Sequence, residues 1–194
     1  MTTVRPAPTI LIPVDDQPEV TLIEQARAGD EVAFEELMRH YKRPVLNFVY
    51  RLLGNAADAD DVAQEVFVRV YQNLRDYSPR KRFSTWLFAL ARNAAIDRLR
   101  WRERHPTTPL DSVPDPPMPT GVAEEVNAHE IGAQIAAAVG SLPEDQRTAL
   151  VLAEYQGLSY AEIAEIMRCS EKSVESRLYR AKQTLREKLR HFLN

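Results

Sequence analysis

The sequence predicts an all-α fold: two small helical domains joined by an extended, proline-rich acidic linker. Apolar residues recur at helical spacing through nearly all of the chain, and no segment alternates as a half-buried strand would. The pattern breaks at His105–Thr120, HPTTPLDSVPDPPMPT. There Pro106, Pro109, Pro114, Pro116, Pro117 and Pro119 forbid a helix and disfavour a sheet interior. Charge divides the chain at the same place. From Pro106 to Gly140 there is no Lys or Arg, only Asp111, Asp115, Glu124, Glu125 and Glu130, whereas both flanks are basic. The formal net charge of −3 therefore conceals two cationic ends, each able to meet phosphates.

Taken in order, residues 1–19 read as a flexible tail, proline-rich and with an apolar stretch, ILIPV, broken by Pro13, unlike a secretory signal. Residues 20–105 are expected to form the first domain, with helices near 20–28, 31–53, 58–75 and 83–103. The linker covers 106–122. The second domain, 123–194, is expected to hold helices near 123–139, 144–156, 160–167 and 171–190. No apolar run approaches the ~20 residues of a membrane span, so no membrane insertion is expected. The single cysteine, Cys169, cannot form an internal disulfide or a thiolate metal site alone, and it reads as a small filler in a helix connection. His40, His105, His129 and His191 lack ligand spacing. These features describe a reduced cytoplasmic protein with no cofactor.

In the second domain, Ser159-Tyr160-Ala161-Glu162 has the form of a capping box. Ile163, Ala164 and Ile166 supply the apolar side of the short helix that follows. Ser170 can cap the next helix, whose inner side is Val174, Leu178 and Ala181. Two short helices with a small alanine at their crossing make a helix-turn-helix. The outer face of the second helix offers Lys172, Ser173, Glu175, Ser176, Arg177, Tyr179 and Arg180. Such a helix fits a major groove, where Arg reads guanine and a carboxylate accepts from cytosine.

In the first domain, Asp58–Leu74, DADDVAQEVFVRVYQNL, buries Val62, Val66, Val70 and Leu74 with Phe67. Asp61, Gln64, Glu65 and Val68 share another face, either solvated or suited to a basic helix of a protein partner. The segment from Phe83, FSTWLFALARNAAIDRLRWRER, has Phe83, Leu87, Leu90 and Ala94 as core and a second stripe of Asn93, Asp97, Arg100, Trp101 and Arg104. Before it, NLRDYSPRKR is a cationic loop carrying Tyr77, Ser78 and Arg80. Rings and cations in this pattern suit single-stranded bases, at roughly 1–3 kcal/mol of stacking per base.

These three segments, in this order, resemble the extracytoplasmic-function (group IV) sigma factors of the sigma-70 family of bacterial RNA polymerase, over about residues 20–105 and 125–192. The resemblance implies roles. Asp61, Gln64 and Glu65 are expected to bind core RNA polymerase at its clamp coiled coil, with the flap as a further contact. Tyr77, Ser78, Arg80, Asn93, Arg98, Arg100 and Trp101 are expected to take and melt the −10 element of promoter DNA. Lys172, Ser173, Glu175, Ser176, Arg177, Tyr179 and Arg180 are expected to read the −35 element. Two departures stand out: Glu175 lies where many relatives carry a basic residue, and MRCS replaces a glycine-containing turn. In relatives the linker resembles a segment that threads the polymerase interior. Here His105–Thr120 could span about 50 Å, or about 15 base pairs. With no further domain or Cys/His cluster read in the sequence, control by a separate anti-sigma factor is expected, with no small-molecule substrate.

A dimeric repressor or activator would also explain the C-terminal domain, but it leaves the Asp61/Glu65 face and the Tyr77 loop without purpose. An enzyme finds no support, since no nucleophile–base constellation or phosphate-binding glycine loop is present.

Overall fold

A computed structural model of the chain describes residues 17–79, 81–105 and 125–190. The described residues form helices and no strand: α1 (Gln17–Arg27), α2 (Glu31–Leu53), α3 (Ala56–Asn73), a 3-10 turn (Leu74–Asp76), α4 (Phe83–Arg104), α5 (Glu125–Gly140), α6 (Glu144–Glu154), α7 (Tyr160–Met167) and α8 (Glu171–Lys188). The linker reading at 106–122, most of the expected tail and Arg80 lie outside the described residues.

Local chemistry explains two helix starts that differ from expectation. Helix α3 starts at Ala56 rather than 58 because the Asn55 side chain accepts from the Asp58 amide at 2.8 Å, capping an earlier turn. Helix α1 starts at Gln17, inside the expected tail, and the buried Glu19 accepts a hydrogen bond from the Tyr41 hydroxyl of α2. A buried carboxylate needs such a donor, so residues 17–19 belong to the folded domain. Helix α2 is capped by Asp30, whose carboxylate accepts from the Val32 and Ala33 amides, and it ends at Gly54, held at φ 68°, a left-handed conformation that glycine adopts without penalty.

In the N-terminal domain α1 packs on α2, and α2, α3 and α4 pack on one another. Leu37, Tyr41, Val45, Phe48, Val49 and Leu52 of α2 meet Val62, Val66 and Val70 of α3 and Phe83, Leu87 and Phe88 of α4 in a buried core. Full burial of one such side chain contributes about 1.5–3 kcal/mol. Edge-to-face pairs, Tyr41–Phe83 at 5.3 Å and Phe48–Phe88 at 5.2 Å between ring centroids, fix how α4 sits on α2.

The C-terminal domain is built from α6, α7 and α8, with α5 against α8. Ile163 and Ile166 of α7, Val151 and Leu152 of α6, and Val174, Leu178 and Ala181 of α8 are all buried, so the apolar spacing expected for the helix-turn-helix is the packing observed. The Ser159–Glu162 capping box is fully formed. Helix α7 ends with Arg168 at φ 52°, the Cys169 amide bonding back to the Ala164 carbonyl at 2.9 Å. This is a Schellman closure with arginine in a position that favours glycine.

The two domains touch. Helix α4 lies against α7, α2 against α6 and α5, and the buried apolar residues of both halves form one continuous cluster.

Candidate nucleic-acid interface

Helix α3 turns Val62, Val66 and Val70 inward, and that same register exposes Asp61, Gln64, Glu65 and Val68. Glu65 pairs with Arg69 one turn on. Asp61 stands 3.8 Å from Arg98 of α4, and Arg98 makes a closer bond, 2.7 Å, to Asp58. Arg102 reaches Asp58 at 3.5 Å and the Leu53 carbonyl at 3.2 Å. The carboxylates at the start of α3 therefore hold Arg98 and Arg102 of α4, which flank its polar stripe, in place. Arg98 is half-buried and committed to α3, whereas Arg100 is exposed and Trp101 is 48% exposed. The Trp101 ring stacks on His105 at 4.9 Å, which fixes it as a flat exposed platform near the C-terminal end of α4. Asn93 is half-buried on the same helix.

The loop before α4 corrects one expectation. Tyr77 is only 5% exposed, so its ring offers no face to a base here. It packs between Phe83 and Trp86, at 5.5 and 5.2 Å, and its hydroxyl donates to the Lys81 carbonyl. Its apolar ring fits the aromatic core more favourably than water, and the hydroxyl then ties down the loop that carries the cations. Ser78 is exposed at the loop tip.

On α8, burial of Val174, Leu178 and Ala181 turns Lys172, Glu175, Ser176, Tyr179 and Arg180 to solvent. Ser173 is half-buried, its amide donating to the Ser170 cap at 3.2 Å. Arg177 is the second correction. Its Nε donates to Asp145 of α6 at 2.9 Å and its Nη1 to the Cys169 Sγ at 2.8 Å, an arrangement that braces α8 against α6 and the turn. Burial opposes its charge, yet the bonds to Asp145 and Cys169 outweigh burial and raise its pKa. A guanidinium engaged in this way holds α8 against α6 and the turn before it. Cys169, expected as a filler, is half-buried and accepts that bond.

Sequence reasoning missed the contacts between the domains. Arg82 bonds Glu162 at 2.7 Å, Lys81 pairs with Glu165, and Arg92 lies 3.7 Å from Glu144. Arg51 of α2 sits over the Tyr155 ring at 3.9 Å. Burial works against ionisation of Glu162, but hydrogen bonds from Ser159 and the Arg82 guanidinium prevail and hold its carboxyl below the usual range. No local signal in the sequence joins residues some eighty positions apart. Among the described residues no helix is long and apolar enough to cross a membrane, and no group of three His, Cys, Asp or Glu side chains could hold a metal ion.

Comparison with known proteins places this geometry. Residues 37–105 match the family model for sigma-70 region 2, and residues 132–185 match that for sigma-70 region 4. The chain is 34% identical over 181 residues to the RNA polymerase sigma-H factor of Pseudomonas aeruginosa, covering 89% of this chain and 94% of that one. It is 34% identical over 182 residues to the ECF RNA polymerase sigma factor SigW of Bacillus subtilis, covering 87% and 95%. Among solved structures, CnrH in complex with the cytosolic domain of CnrY aligns with a TM-score of 0.70 at 26% identity, over 90% of this chain and 99% of CnrH. By these matches the chain belongs to the sigma-70 family, among its extracytoplasmic-function RNA polymerase sigma factors.

Proposed function

We propose that the chain works in the cytoplasm as a non-enzymatic specificity subunit. Its exposed Asp61, Gln64 and Glu65 dock on core RNA polymerase. Its α4 stripe, through Asn93, Arg100 and Trp101, and its preceding loop, through Ser78 and Arg80, take the melted −10 element. The outer face of α8, through Lys172, Ser176, Tyr179 and Arg180, reads the −35 element, with Glu175 selecting against some sequences there. One observation carries this reading: a single small domain presents a carboxylate face on α3 beside a cationic, aromatic stripe on α4. The first repels DNA and the second attracts it, so the domain is suited to bind a protein and a nucleic acid together. The solved CnrH is held by the cytosolic domain of another protein. By analogy, an anti-sigma factor is proposed to control this chain.

The test is transcription in vitro with purified core polymerase and a promoter library. Added chain is expected to confer start-site selectivity, and no gain in selectivity defeats the reading. In the same system Asp61→Arg or Glu65→Arg is expected to weaken capture of core polymerase about tenfold or more, equivalent to ~1.4 kcal/mol. Undiminished capture removes the docking assignment.

A further inference from the structure

We propose that Glu175 of α8 sets one base of the −35 element, its carboxylate accepting a hydrogen bond from the N4 amino group of a cytosine in the major groove. The proposal rests on the reading of α8 as the −35 helix and adds the base that one of its positions selects.

Glu175 has no partner within its own domain. It is exposed, and it makes no hydrogen bond or ion pair among the described residues. The acids of the two preceding helices are treated differently. Glu144, Asp145 and Glu154 of α6 and Glu162 and Glu165 of α7 each lie within ion-pair distance of an arginine or lysine. Glu171 opens α8, where a carboxylate meets the positive end of the helix dipole. Glu175 lies past that first turn and four residues from Glu171, a like-charge spacing that weakens a helix slightly. Nothing among its described neighbours stabilises its charge, so a favourable use of that charge has to be external.

The position is also rigid and turned outward. Val174 beside it is fully buried, as are Leu178 and Ala181 further along, which fixes the rotation of the helix. Ser170 caps the start of α8, and Arg177 ties the helix to Asp145 and Cys169. The carboxylate therefore projects from the N-terminal half of α8, beside exposed Lys172 and Tyr179. That half of a reading helix is the part that meets base edges. An ionised carboxylate can only accept hydrogen bonds. In the major groove guanine offers two acceptors, and thymine offers one acceptor and a methyl group. Adenine sets an acceptor beside its amino group, whereas cytosine presents its amino group alone. Phosphates repel the carboxylate whatever the sequence, and a donor on a base edge is what offsets that repulsion. The chemistry ranks cytosine first, adenine second and guanine last.

The test is a selection from DNA duplexes randomised over the −35 segment. It is made with the full chain bound to core polymerase and, in parallel, with the full chain alone. Wild type is expected to enrich cytosine at one position, about tenfold over guanine. Glu175→Gln, whose amide both donates and accepts, is expected to move that same position to adenine. Glu175→Arg is expected to move it to guanine, each by a similar factor. Preferences at the other positions are expected to persist, since Lys172, Ser176 and Arg180 are untouched. Glu171→Gln removes the same charge one turn earlier. It is expected to raise binding to all duplexes alike and to move no base preference. Circular dichroism verifies that each variant keeps its helix content. If no base position follows residue 175, or if Glu171→Gln reproduces the shift, the assignment is overturned. Start-site selectivity with core polymerase tests the sigma-factor reading separately. A chain that confers selectivity without a base that follows residue 175 loses this assignment alone. A chain that confers none, yet follows residue 175 in the selection made without polymerase, keeps the base preference and loses the promoter.

Discussion

The loop before α4 and the outer face of α8 have similar inventories of cations and small polar groups, yet the fold treats them oppositely. On α8, Lys172, Ser176, Tyr179 and Arg180 stand exposed because their helix buries its opposite side, at Val174, Leu178 and Ala181. Before α4, Lys81 and Arg82 are engaged by carboxylates of the other domain. The aromatic residues divide in the same way. Tyr179 is exposed, whereas Tyr77 is part of the core and holds its loop from beneath. Availability for a ligand is thus set by what each segment packs against and not by its composition. A charge count finds two basic segments on this chain; the structure leaves the α8 cations Lys172 and Arg180 exposed and pairs Lys81 and Arg82 before α4 with carboxylates.

Substitutions can break or sharpen this contrast. The largest expected effect concerns Arg177, the α8 cation that braces its helix against both α6 and the turn. Arg177→Ala removes the bonds to Asp145 and Cys169 and is expected to destabilise the C-terminal domain by about 1–2 kcal/mol, given the partial exposure of Asp145. Thermal unfolding should register this, and any loss of −35 binding should not depend on the −35 sequence. Arg180→Ala is expected to do the reverse, costing about 1–2 kcal/mol of affinity for a preferred −35 duplex while leaving the melting temperature unchanged. Equal sequence dependence for the two variants in a binding titration would erase the distinction between positioning and reading. Tyr77→Phe keeps the ring but loses the hydroxyl bond to the Lys81 carbonyl. Chemical denaturation is expected to show a loss of about 0.5–1.5 kcal/mol, and hydrogen exchange should be faster in the loop before α4 than in α8. The smallest effect is a gain. Arg168→Gly relieves a left-handed arginine and is expected to stabilise the chain by up to about 1 kcal/mol. DNA binding should be unchanged, since the turn conformation is preserved.

Several features of the site were legible in the residues before any coordinates. The Ser159–Glu162 box, the Ser170 cap and the Val174/Leu178/Ala181 spacing are local signals, and each fold element they imply is present. The exposed Asp61, Gln64 and Glu65 face followed from the valine register of α3 for the same reason. The packing that was not legible has a different physical origin. An aromatic residue in a charged loop suits both stacking and core anchoring, and the presence of Phe83 and Trp86 beside Tyr77 selects core anchoring in this structure. Arg177 lies on the polar side of α8 by periodicity, but the start of α6 brings Asp145 within reach of it. Helix α1 reached back to Gln17 because Tyr41, far along the chain, offers Glu19 a buried partner.

Helical periodicity, caps and the proline-rich break act within a few residues of one another, so the amino-acid order alone determined the all-α architecture, its division into two domains and the basic segment that each carries. Which cations remain open to solvent depends on pairs such as Arg82–Glu162 and Lys81–Glu165, whose members are separated by 80 and 84 positions. Such pairs form only once each domain has folded and the two have packed, because a single ion pair is too weak to order the chain between its members. That packing, and with it the difference between the paired cations before α4 and the exposed face of α8, was decided by tertiary structure.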